Sequence, residues 1–397
     1  MIERPDALQR LLSWKDKDLI KVVTGIRRCG KSTLLSLLRG RLREMGVADD
    51  QLHAINFEDP DWAELGSWKQ VWDALKPQIE DGRRHYVFLD EVQQLPNFER
   101  LVNGLYTRKQ VDLYVTGSNA FLLSSELATY LSGRYVELHL TPLSFKEFAS
   151  VAPAQEPRSQ TYRRYLVQSG FPYALQLREP QHLDDYLRGL FNTILLKDVV
   201  ARNGFKDVAL LGRVVRFLFD NIGNLTTINK ICTAFEEAKS RPNAQTIENY
   251  IQALCDVYIL HQVRRYDIKG KAWLKTNAKY YLEDVGLRRI LLGTRGGDLG
   301  RLLENVVYLE LCRRHREVYV GILDREEVDF VAIDGAEYTY YQVALTVRDE
   351  QTLRRELRPL QKLPGSYPKF LLTLDDDPEL SHEGIRQVNA LDFLLQA

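Results

Sequence analysis

The stretch that most constrains this chain is Gly25-Ile26-Arg27-Arg28-Cys29-Gly30-Lys31-Ser32, a complete match to the pattern G-x-x-x-x-G-K-[ST]. Leu19-Ile20-Lys21-Val22-Val23 before it reads as a short buried strand, and Thr33 to Leu38 after it has helical apolar spacing. Strand, glycine turn and helix in that order make an anion site. Gly25 and Gly30 let the backbone wrap a phosphate without Cβ clashes, and the loop N–H groups and helix N-terminus point at the anion. Lys31 would reach the β- and γ-phosphates, and the Ser32 hydroxyl would ligate Mg²⁺. The motif predicts a bound nucleoside triphosphate with Mg²⁺; Gly25, Arg28, Gly30, Lys31, Ser32 and Thr33 are the candidate contacts.

At 397 residues the chain is long for one core, and two or three domains are expected. A composition of 45% hydrophobic and 27% charged residues describes a globular protein. No apolar run approaches the roughly 20 residues of a membrane span. Met1 to Asp6 is charged and no apolar segment follows it, so export is not expected. The four cysteines (Cys29, Cys232, Cys255, Cys312) have no metal-ligand spacing, and Cys29 lies inside the phosphate loop, which fits a reducing cytoplasm. Charge is balanced overall but unevenly spread. Residues 151–300 hold 22 Lys and Arg against 15 Asp and Glu, whereas residues 301–397 hold 12 against 18. The middle of the chain is therefore the expected polyanion-facing part.

Residues 1–142 alternate strands and helices as a parallel α/β sheet should. Strands are expected at Ala54–Phe57, Tyr86–Leu89, Leu113–Thr116 and Tyr135–Leu140, with polar clusters following at their carboxyl ends. Residues 143–220 read as a helical lid or linker, interrupted at Gly170-Phe171-Pro172 and Asn203-Gly204. Residues 221–295 read as two helices, Asn224 to about Lys239 and Gln245 to Cys255, then a strand at Val257–Leu260 and a basic hairpin turning at Lys269-Gly270-Lys271. That is a winged-helix layout. Residues 296–397 read as a separate α/β unit with a helix near Leu302–Arg313, strands at Glu327–Ile333 and Tyr338–Leu345, a helix at Glu350–Lys362 and a strand at Phe370–Thr373.

The third strand delivers Asp90 and Glu91. Beside a P-loop, Asp90 reads as the Mg²⁺ holder and Glu91 as the general base for the attacking water. Asn119, ending the fourth strand, could hold that water, or could cap the following helix. Arg134, between an expected helix at 120–132 and the fifth strand, stands where an arginine finger would act in trans in an oligomer; the alternative is a surface arginine at a glycine turn. Arg27 and Arg28 could meet phosphate, a neighbouring subunit or solvent. Arg264, Arg265, Lys269, Lys271, Lys275 and Lys279, interleaved with Tyr266 and Trp273, suit a DNA contact surface. The same hairpin could be a protein-docking module.

Gly25–Thr33, Asp90-Glu91, Thr116-Gly117-Ser118-Asn119 and Ser132-Gly133-Arg134-Tyr135 resemble the prokaryotic AAA-type ATPases that carry a C-terminal domain of unknown function. Gly170-Phe171-Pro172 is similar to the glycine-proline lid motif of those enzymes and of signal-transduction ATPases. The similarity continues through Tyr280–Leu287 and Glu304–Leu345. The resemblance implies an ATP-hydrolysing core, a hexamer-like homo-oligomeric ring, and a last domain similar to the PD-(D/E)xK nuclease fold. In such nucleases a helix Glu, a strand Asp and an E-x-K element hold Mg²⁺ and orient water. Glu304 and Asp329 match the first two, but the third is Gln342-Val343-Ala344, and with no lysine expected nearby the domain reads as nuclease-like and inactive.

Three functions follow as expectations: an ATP-hydrolysing oligomeric motor acting on DNA, a nucleotide-dependent switch that recruits a protein partner, and an ATP-gated nuclease, which Ala344 opposes.

Overall fold

The computed structural model describes residues 2–118, 133–235, 242–293, 296–324 and 326–396. They form two compact units, one of residues 1–142 with 256–258 and one of residues 143–255 with 259–397.

The first unit is built on five strands: β1 (Ile20–Thr24), β2 (Leu52–Asn56), β3 (His85–Asp90), β4 (Val111–Gly117) and β5 (Tyr135–His139). Their order is β2-β3-β4-β1-β5, and every pairing is parallel. Parallel strands covered on both faces must be apolar throughout, and β1, β3 and β4 are buried at every position. Ile20, Val22, Val87, Leu89, Leu113 and Val115 pack together with Val71, Leu101 and Leu105 of the covering helices. Lys21 is the exception in β1; its ammonium is buried against Asp112 of the neighbouring β4 and donates to the Lys17 carbonyl at 2.7 Å. The four strand expectations hold to within two residues at each end. The expected helix at 120–132 and Asn119 lie outside the described residues.

The second unit carries an eight-stranded sheet of β6 (Leu260–Asp267), β7 (Ala272–Leu282), β8 (Glu317–Leu323), β9 (Glu326–Asp334), β10 (Glu337–Val343), β11 (Lys369–Thr373), β12 (Leu380–His382) and β13 (Ile385–Asn389). The order is β12-β13-β11-β10-β9-β8-β6-β7. The β6–β7 hairpin turns at the expected place, but it is no free wing: β6 pairs in parallel with β8. The helices before it span Ile228–Ala234 and Ala244–Asp256. The expected borders at 220/221 and 295/296 thus fall inside one unit. Its core explains why. Phe145, Phe148, Tyr162 and Tyr165, from the segment expected to be a lid, pack with Val306, Leu311, Phe330, Tyr341 and Leu372. The buried Asp284 carboxylate accepts from the N–H groups of Gly170 at 2.7 Å and Gly286 at 2.9 Å, tying the glycine-proline motif to the Tyr280–Leu287 segment. Short-range periodicity could not reveal that shared core, because its two halves lie more than a hundred residues apart.

Candidate functional site

The strand order assembles the site. The phosphate loop leaves the carboxyl end of β1, Asp90 and Glu91 leave β3, and β4 lies between them. Side chains at the end of β4 therefore sit between the loop lysine and the two acids. Gly25 has φ +145° and a Cβ there would lie 2.1 Å from the Leu140 carbonyl oxygen; Gly30, at φ +107°, starts the Lys31–Glu44 helix. Both conformations are glycine's own. Arg28 takes φ +67° and is exposed, as are Ser32 and Thr33, while Cys29 is buried.

Lys31 is buried and its ammonium donates to the carbonyls of Gly25 at 3.1 Å and Ile26 at 3.3 Å and to Ser118 Oγ at 3.1 Å. It also stands 3.5 Å from the Glu91 carboxylate. Ser118 Oγ lies 2.7 Å from both Glu91 oxygens, and Gln93 donates to the same carboxylate. Thr116 links the two acids: its hydroxyl donates to Asp90 and accepts from the Glu91 N–H at 2.9 Å. Burial raises the Asp90 pKa, partly offset by hydrogen bonds from Ser32 and Thr116. Burial also pushes Glu91 up, but Lys31, Ser118 and Gln93 outweigh it and hold that carboxyl below its ordinary value. Glu91 is thus ionised at neutral pH, as a general base must be. The exposed Ser32 hydroxyl and the Asp90 carboxylate it bonds fit a hard, oxygen-seeking cation such as Mg²⁺.

Sequence reasoning named Lys31, Ser32, Asp90 and Glu91, which the structure brings together, but passed over Thr116, Ser118 and Arg4. Arg4 is buried, and its guanidinium donates to the carbonyls of Cys29 at 3.1 Å and Thr141 at 3.0 Å, bracing the loop from below. Ser118 stood in the quoted Thr116–Asn119 segment at the end of a buried strand, and only the strand order places that strand beside the P-loop. Arg27 reaches Glu58 at 3.3 Å.

Arg134 is at the opposite edge. Its carbonyl accepts from Ile20 N–H at 2.9 Å, at the amino ends of β1 and β5. Five strand residues, about 15 Å, separate that edge from the phosphate loop. Its exposed guanidinium lies 5.7 Å from the Tyr106 ring centroid and 3.4 Å from Asn103 Oδ1. It cannot reach its own phosphate loop from there.

In the second unit, Arg264 is exposed, Arg265 half-buried, Lys269 pairs with Asp324 at 2.7 Å, and Lys271 lies 5.9 Å from the Tyr338 ring. The Lys275 side chain lies outside the described residues. Two expectations need correction. Tyr266 is buried and cannot stack on a base. Lys279, expected on the basic surface, is 3% exposed and stands 2.8 Å from Glu304, 2.7 Å from Glu327 and 3.4 Å from Asp329. In β7 the alternation puts Lys279 and Tyr281 on the core face, and a buried lysine requires counter-charge. The reading that no lysine lies near Glu304 and Asp329 is therefore overturned. Gln342 is also no cation ligand: its Oε1 accepts from Asp329 N–H at 3.3 Å and its Nε2 donates to Glu356 at 2.8 Å. In the nuclease pattern the lysine stands beside the metal; here the Lys279 ammonium pairs directly with all three carboxylates and Gln342 is engaged by Asp329 N–H and Glu356, so the groups that would hold Mg²⁺ are taken up in ion pairs.

Fold and site together define an AAA-type P-loop domain in the first unit. A family model described as an AAA domain matches residues 17–149, and one described as a domain of unknown function (DUF8612) matches residues 159–298. The chain belongs to one family with an uncharacterized protein of Haemophilus influenzae, to which it is 37% identical over 400 residues, covering 100% of this chain and 99% of that one. It is 27% identical over 357 residues to the uncharacterized protein MJ1544 of Methanocaldococcus jannaschii, covering 86% of this chain and 78% of the relative. The Walker-type ATPase PABY2304 of Pyrococcus abyssi shares the fold, with a TM-score of 0.51 and 14% identity over 73% of this chain and 96% of that chain. Among the described residues no helix is long and apolar enough to cross a membrane.

Proposed function

We propose that this chain hydrolyses ATP as an oligomeric motor that acts on DNA. The observation that carries the reading is the Lys31–Ser118–Glu91 and Thr116–Asp90 constellation at the carboxyl edge of β1, β3 and β4. With nucleotide bound, Lys31 exchanges the Gly25 and Ile26 carbonyls for phosphate oxygens, and Ser32 and Asp90 hold Mg²⁺, which supplies charge neutralisation on the phosphates. Glu91, kept in place by Ser118, accepts a proton from the water that attacks the γ-phosphorus, and ADP is the leaving group. Asn119 completes the water site in this reading. Arg134, facing away from its own loop, supplies a guanidinium to the site of a neighbouring subunit, so turnover requires assembly into a ring.

The DNA part rests on the positive surplus of residues 151–300 and on the hairpin bearing Arg264, Arg265, Lys269, Lys271 and Lys275. Lysine and arginine there neutralise phosphates and release counterions. One observation favours a second reading, a nucleotide-dependent switch that recruits a protein partner. Lys269 is already paired with Asp324, which lowers its value as a phosphate contact. The deciding experiment measures ATP turnover and assembly with and without duplex or branched DNA. DNA-stimulated hydrolysis by an oligomer supports the motor; DNA-independent turnover sinks it and leaves the switch.

A further inference from the structure

A groove of about 1000 Å³ in the second unit runs between the Ala244–Asp256 helix and the β6–β7 hairpin. Its helix wall is one stripe at helical spacing: Gln245, Glu248, Asn249 and Gln252, all exposed. The hairpin wall adds Gln262 and Arg264, the register shift at Arg264/Arg265 brings in Asn277 at φ +64°, and Trp273 lies at the rim. Trp273 is 60% exposed, a large apolar face held out by a strand rather than buried in a core.

We propose that this groove binds single-stranded nucleic acid by its bases, with a base stacked on Trp273, amide side chains of the helix stripe on base edges, and Arg264 on the backbone. This rests on the DNA reading above and deepens it. Three features point to bases rather than to duplex phosphates. The stripe is dominated by amides, which pair a donor with an acceptor and match adenine N6 and N7. It carries Glu248 and no cation, so a phosphate backbone is unwelcome along the helix wall and is directed to the Arg264 side. An exposed indole suits unstacked bases, which a duplex does not offer. Gln245 Nε2 donates to Asn249 Oδ1 at 3.1 Å, so these two amides are neighbours one turn apart on the stripe. Lys279, the next residue along β7 from the groove-lining Ala278, faces away into the carboxylate cluster, so the two faces of this strand have separate roles.

The test uses the full-length chain and labelled twelve-nucleotide strands of deoxyadenosine, deoxythymidine and mixed sequence, beside a hairpin duplex. Single strands should bind more tightly than the duplex, with deoxyadenosine favoured, and should quench the Trp273 emission. Trp273→Ala should weaken single-strand binding about tenfold, within the range of one lost base stack. Trp273→Phe should keep most affinity while losing the quench. Asn249→Ala with Gln252→Ala should flatten the preference for deoxyadenosine. Unchanged single-strand affinity in Trp273→Ala, with native circular dichroism, overturns the groove assignment. If duplex binds and is lost on reversing Lys269 and Lys271 but ignores Trp273 and Asn249, only this inference falls. If no nucleic acid binds, the DNA reading falls with it.

Discussion

Lys31→Ala and Glu91→Gln remove opposite ends of one buried contact, and their consequences should differ in kind. Lys31→Ala deletes the charge that meets the phosphates, so ATP binding should be lost. It also leaves the buried Glu91 carboxylate without its cation. Breaking a buried pair costs about 3–5 kcal/mol. Here the pair is 3.5 Å apart and Glu91 keeps Ser118 at 2.7 Å and Gln93, so the expected loss is smaller, about 1–3 kcal/mol. Glu91→Gln keeps an oxygen for Ser118 and leaves Lys31 on two carbonyls and a hydroxyl, so stability should change by less than about 1 kcal/mol. Binding should survive, while turnover should fall by about 10²–10⁴ with the general base gone. Calorimetric ATP titration, single-turnover hydrolysis and thermal melting without nucleotide separate the effects; each kcal/mol moves the melting temperature of a unit this size by about 2–4 °C. Equal loss of ATP affinity in both variants, or a larger melting shift for Glu91→Gln than for Lys31→Ala, refutes the division of roles.

Arg134→Ala should abolish hydrolysis yet leave each subunit able to bind ATP. Mixing it with Glu91→Gln should restore some turnover through interfaces that pair an intact Glu91 with an intact Arg134; stable mixed assemblies without rescue count against a trans finger. Reversing Lys269, Lys271 and Lys275 to Glu should weaken DNA binding steeply and flatten its salt dependence, with basal ATPase retained, since each lost phosphate contact removes counterion release. Binding that ignores salt in the unaltered chain would point to the protein-switch reading.

What could be read in advance was what short-range pattern encodes. A strand buried on both faces is a run of apolar residues, and a phosphate loop is eight consecutive positions, so β1, the loop and Asp90-Glu91 were legible. The side chains that join them were not, because Thr116 and Ser118 acquire their roles from β4 lying between β1 and β3, which is a fact of strand order. Arg4 braces Cys29 and Thr141 across separations of 25 and 137 residues, and no periodicity reports that. The hairpin misled for a related reason. Its six cations looked like one surface, but alternation along β7 turns Lys279 inward, and pairing with β8 makes the hairpin part of a larger sheet. Ala278, Tyr280 and Leu282 of the other parity are buried as well, so the sequence alternation alone did not mark Lys279 as inward.

That lysine sets the last prediction. Lys279 places one positive charge among Glu304, Glu327 and Asp329, and the Tyr281 hydroxyl donates to Glu304 at 2.5 Å. Burial and the neighbouring Glu304 push the Asp329 carboxyl up to about 7 even with Lys279 pulling it down. Lys279→Met should therefore destabilise the chain by about 3–5 kcal/mol, the cost of leaving buried charge uncompensated. The loss should depend on pH in a definite sense. Without the ammonium the folded-state Asp329 pKa rises further above its unfolded value, so the native state holds more protons than the unfolded one. Stability then falls as pH rises. The variant should approach the parent near pH 5 and lag most above pH 7. Because the lysine does a cation's work, millimolar Mg²⁺ or Mn²⁺ should raise the melting temperature of Lys279→Met beyond any shift that Ser32 and Asp90 give the unaltered chain. By the same reasoning the unaltered chain should not cut duplex, branched or single-stranded DNA with either metal. A metal-dependent melting shift in the unaltered chain, or cleavage, that disappears in Asp329→Ala would show that Lys279 shares the site with a metal rather than replacing it.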